Sequence, residues 1–156
     1  MKYLTSFFVL MLVTLTSVAS KYSEVVPIGS MATQPTFLCN TKEQIDRILQ
    51  VRMLQGYEKG RAEIDKINKE EDKTACGSVT VMGELIDGFD SYIVATQSGA
   101  PLTVQVTKLR IHAMQINPVQ IIRMPPDRFQ YSWSNYQVVT KEEYKRLQKV
   151  SRFVGV

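Results

Sequence analysis

The residues able to do chemistry in this chain are few. A single histidine, His112, and two cysteines, Cys39 and Cys76, make up its imidazole and thiol supply. One imidazole excludes a multi-histidine metal centre and any zinc site built on spaced His and Cys pairs. Glu84, Asp87 and Asp90 crowd seven positions and could bind a hard cation or act as an acid and base pair. They lack the Asp-x-Asp-x-Asp-Gly spacing of a calcium loop, and carboxylates are common in turns. No Gly-x-Ser-x-Gly elbow raises a serine nucleophile. Gly77, Gly83 and Gly88 stand singly, so no glycine-rich loop cradles a phosphate. No cofactor is expected.

Two stretches suggest binding rather than catalysis. Phe129, Tyr131 and Trp133 alternate along a strand, which places all three rings on one face. Such a face is either a stacking platform for sugars or bases, or the apolar side of a sheet core, and the area of three rings favours the core. Lys141, Lys145, Arg146, Lys149 and Arg152 load the final segment with positive charge that could meet an anionic polymer or membrane face. From Lys21 to Gly99 there are nine basic and twelve acidic residues, a net of −3. From Ala100 to Val156 there are nine and three, a net of +6.

The chain's first twenty residues set its compartment. Lys2 precedes a run from Tyr3 to Ser20 that is apolar or hydroxylic, closing on the small residues of Ser17-Val18-Ala19-Ser20. That is the pattern of a secretory signal cut after Ala19 or Ser20. Thr5, Ser6, Thr14, Thr16 and Ser17 dilute the run below what a spanning helix needs. No stable membrane span is expected after cleavage, and the destination is the periplasm or the exterior. In an oxidising compartment an even cysteine count reads as one bridge, with two buried thiols as the alternative.

The remaining chain is expected to fold as a single α+β domain over 37–156, behind a flexible leader over 21–36 that has two prolines and no periodicity. A helix runs to about Gln55 and stops at Gly56, capped either by Asn40 with Glu43 or by Thr41 with Gln44. A second helix spans roughly Gly60 to Lys69, and the disulfide closes this helical hairpin. Alternation then takes over. Val79 and Val81 lie on one strand, Asp87-Gly88 makes a hairpin turn, and Tyr92 to Gln97 returns. A long strand shows Leu102, Val104 and Val106, then Leu109, Ile111 and Ala113 in the opposite phase, which calls for a bulge near Thr107-Lys108. Val119 to Arg123 and Phe129 to Val139 complete a five-stranded antiparallel meander or small barrel. Thr140 opens a C-terminal helix whose face is Tyr144, Leu147 and Val150.

Phe37-Leu38-Cys39-Asn40-Thr41-Lys42-Glu43-Gln44, followed by Ala62, Ile67-Asn68 and Ala75-Cys76-Gly77, resembles a group of small exported bacterial proteins of uncharacterised function. The likeness covers residues 37 to 77. It implies a bacterial envelope setting and a shared scaffold bridged between Cys39 and Cys76, and it carries no activity. The chain therefore reads as an exported, non-enzymatic binding or interaction module of the bacterial envelope whose partner is not identified, an envelope- or matrix-associated protein being the expected ligand. The alternatives are a small hydrolase using the 84–90 carboxylates and an anionic-polymer binder using the basic C-terminal part.

Overall fold

The computed structural model describes residues 22–154, so the segment read as a secretory signal lies outside the described residues. Among those residues the order is β1 (Val25–Pro27), β2 (Met31–Cys39), α1 (Lys42–Gln55), α2 (Tyr57–Glu70), β3 (Cys76–Ala95), β4 (Pro101–Asn117), β5 (Gln120–Arg123), β6 (Phe129–Ser134), β7 (Gln137–Val139) and α3 (Lys141–Val154).

This corrects the expected architecture. The chain does not begin with a helical hairpin, because the segment taken for a flexible leader contributes β1 and most of β2. Nor is the sheet a meander: its strands run β3-β2-β6-β4-β5, and β3 also pairs with β4, so the pairings of β3, β2, β6 and β4 return on themselves. β1 and β7 form a separate parallel pair. The disulfide joins strand to strand, since Cys39 and Cys76 are directly opposed in the antiparallel β2–β3 register. It was read as a helical staple because both cysteines flank the helices. Local periodicity could not show that a strand precedes Cys39, because Met31 to Thr36 owes its extended state to pairing with Val79 to Glu84.

The two long strands were also misdivided. Asp87-Gly88 is no turn; β3 passes straight through it, with register irregularities at Leu85/Asp87 and Gly88/Ser91. These two bulges sit in β3, facing the Thr107-Lys108 region of β4 where a bulge or sharp coil is expected, and a third irregularity, at Met82/Gly83, leaves His112 as the extra residue in β4. The apparent phase switch in β4 has another cause: this strand is buried on both sides. Val104 and Val106 pack with Ile45, Ile48, Leu49 and Ile67 of the helices, while Leu109 and Ile111 join Leu38, Val81, Leu85 and Val138 in a second cluster. Central strands covered on both faces lose simple alternation. The expected strand 129–139 is likewise two, split at Asn135-Tyr136 so that β7 can pair with β1.

The helices form for local reasons. Thr41 caps α1 in a full capping box: its hydroxyl accepts from the Gln44 N–H, and the Gln44 side chain accepts from the Thr41 N–H. Gly56, at φ 89°, ends α1 and starts α2. Gly60 allows the two helices to touch, because a Cβ there would lie 2.7 Å from Arg52 Cβ.

Candidate functional site

The carboxylates of 84–90 do not converge. On the continuous β3 each finds a different partner: Glu84 pairs with Arg110 at 3.0 Å and lies 3.8 Å from His112 Nε2, Asp87 accepts from the Gly88 N–H at 2.9 Å, and Asp90 pairs with Lys42 at 2.8 Å. Lys42, held between Asp46 and Asp90, has its pKa raised by hydrogen bonds to both. The same hydrogen bond from Lys42 holds the Asp90 carboxyl below its usual range. Among the described residues no three His, Cys, Asp or Glu side chains are grouped to hold a metal ion.

On the aromatic strand Tyr131 and Trp133 pack against the buried cluster under the helices without being fully buried themselves. Phe129, Tyr131 and Trp133 do share a face, but all three are half-buried. Trp133 stacks on Phe37 with centroids 4.5 Å apart, Tyr131 tilts against Phe89, and Phe129 lies under the cations of Lys108 and Arg110. The buried positions of β6 are the polar ones between them, Gln130, Ser132 and Ser134. Ser132 is anchored, donating to the Phe37 carbonyl at 2.7 Å. In the final helix Lys141, Lys145, Arg146 and Lys149 are exposed, with Arg146 paired to Glu143 at 2.9 Å. The Arg152 side chain lies outside the described residues.

Sequence reasoning passed over the place where the ring of strands opens. β3 pairs with β2 from Cys76 onward, but with β4 only from Thr80, opposite Gln115. Backbone groups alternate between the two edges of a strand. The N–H and C=O of Cys76 both engage the Asn68 side chain, at 2.8 and 3.0 Å, and so point away from β2. The Asn40 N–H donates to the Ala75 carbonyl, which fixes the same phase. Two residues on, the N–H and C=O of Ser78 must also face away from β2, beyond the reach of the β4 ladder.

They face a groove. One depression of about 660 Å³ is lined by Asn40, Lys73, Ser78, Arg128, Phe129 and Gln130, among others. It adjoins a second of about 530 Å³ that shares Ser78 and Val79 and ends at Asn117-Pro118. Gln130, only 7% exposed, donates from Nε2 to Asn40 Oδ1 at 3.1 Å, while its Oε1 is buried without a partner. A buried acceptor left unpaired costs roughly 1–3 kcal/mol, so it marks a place where a donor belongs. Nothing in the local pattern pointed here. Asn40 reads as one of two possible helix caps, and neither Gln130 nor Ser78 stands out from its strand.

The bridge between Cys39 and Cys76 is formed, and among the described residues no helix is long and apolar enough to cross a membrane. Compared with known proteins, the chain matches no family model, no curated protein and no solved structure, so its site rests on its own geometry.

Proposed function

We propose that this protein is an exported, non-catalytic binding module of the bacterial envelope that takes up an extended segment of a partner protein in the groove beside Ser78. The secretory signal read from the sequence and the resemblance of residues 37 to 77 to small exported bacterial proteins support the setting. The observation that carries the binding reading is the unpaired edge of β3, where Ser78 offers one donor and one acceptor to the groove. An added strand recognises such an edge through its own backbone, and side-chain pockets on either side supply selectivity. The two depressions flanking Ser78 and Val79 serve as those pockets. The dispersal of Glu84, Asp87 and Asp90 among separate partners argues against shared acid and base work.

A displayed library of random peptides, panned against the exported protein, tests the reading. Enriched peptides should slow hydrogen exchange at the Ser78 amide. Ser78→Pro should weaken them at least tenfold while leaving the fold intact, because the lost N–H takes no part in the β2 ladder and proline is tolerated at a strand edge. Peptides that bind Ser78→Pro as well as the parent, without protecting Ser78, would remove the groove from consideration, and so would a library that yields no binder.

A further inference from the structure

α3 is a fourteen-residue helix that the rest of the molecule barely holds. Its start is fixed: Thr140 Oγ1 accepts from the Glu143 N–H at 3.2 Å, and the Lys141 side chain lies over Gly29. From Lys145 to Lys149 every residue is exposed, and Leu147 keeps 38% of its surface in water. Tyr144 and Leu147, three apart, form one row on the helix, while Lys141, Lys145 and Lys149, four apart, form another on the opposing side. The helix carries five basic and two acidic residues, and Arg146 is tied to one of the acids. An isolated helix of this length is marginal in water, and with Tyr144 half-buried and Leu147 open the body of the protein covers its apolar row only in part.

We infer that α3 docks flat on an anionic lipid surface, with Tyr144 and Leu147 entering the interface and the lysines of the polar side extending their long stems back towards lipid phosphates. Charge complementarity selects the sign of the surface, and an apolar row opposed by a cationic one selects lipid over a soluble polyanion. An interfacial helix needs both, whereas a polyanion makes no use of a leucine. This surface is separate from the Ser78 groove and does not depend on it.

The test is co-sedimentation of the exported protein with phosphatidylcholine vesicles containing about 30 mol % phosphatidylglycerol, against phosphatidylcholine alone. Binding is expected only to the anionic vesicles. Lys145→Gln with Lys149→Gln should weaken it roughly tenfold to thirtyfold. Leu147→Ser should weaken it severalfold at unchanged charge. All three substitutions lie at exposed positions, and an unchanged Trp133 emission spectrum verifies that the body of the protein is intact. Three results would overturn the inference: no sedimentation with anionic vesicles, equal sedimentation with neutral ones, or a Leu147→Ser protein that binds anionic vesicles as well as the parent.

Discussion

At the scale of single residues, the fold leans on close approaches that admit no side chain. Gly88 is the clearest. It lies in β3 between two register irregularities, and a Cβ there would come within 2.9 Å of both Gln105 Nε2 and Val138 Cβ. Gln105 cannot easily give way, because it is buried and holds two elements: its Oε1 accepts from the Val138 N–H at 2.7 Å, and its Nε2 donates to the Phe89 carbonyl at 3.2 Å. Gly88→Ala is therefore expected to destabilise by about 1–3 kcal/mol through overpacking and the strained glutamine bridge. Urea unfolding measures this, and an alanine variant as stable as the parent would show that β7 can shift freely. In the sequence the same glycine looked like half of an Asp-Gly turn, since a turn and a bulge both use its small size and only the partner strand distinguishes them.

Between elements, charge is the fastening. Arg47 of α1 reaches Glu63 and Glu70 of α2, at 2.5 and 2.6 Å, and Lys42 of α1 reaches Asp90 of β3. The Arg47 hydrogen bond holds the Glu70 carboxyl below its usual range, as Lys42 does for Asp90. A depressed carboxyl pKa contributes stability that is present above the unfolded value, near pH 4, and is lost as pH falls through the lower folded value. Both carboxylates are exposed, so the contribution is small and screened by salt. Glu70→Gln with Asp90→Asn is expected to flatten the fall in stability between about pH 5 and pH 2, measured as urea midpoints across that range at low ionic strength. An unchanged slope would mean that these pairs form equally in the unfolded chain. The charged residues from Lys69 to Lys73 are exposed, yet Glu70 among them is a fastening between helices.

For the molecule as a whole, the bridge between Cys39 and Cys76 closes the first rung of the β2–β3 pair and fixes the corner where both helices, the strand ring and the groove meet. Cys39 is fully buried and Cys76 nearly so. With a separation of 37 residues, chain-entropy arguments assign the bridge roughly 4 kcal/mol. Replacing both cysteines by serine is expected to lower stability by about 2–5 kcal/mol, read from thermal and urea unfolding. In the parent, mild reductant without denaturant should leave the bond intact, because neither sulfur is accessible. A variant as stable as the parent would make the bridge dispensable.

The sequence by itself located α1 to within a residue at its start, its stop at Gly56 and the start of the C-terminal helix at Thr140, and it pointed to one disulfide. Each depends on signals a few residues apart, or on there being only two cysteines to pair. Tertiary structure alone decided that 31–36 is a strand, that β4 is buried on both faces, that Glu84, Asp87 and Asp90 go to separate partners, and that β3 leaves Ser78 facing a groove. All of these are set by which strand lies beside which. Strand pairing is a contact between distant segments, so residue spacing within any one segment carries no record of it.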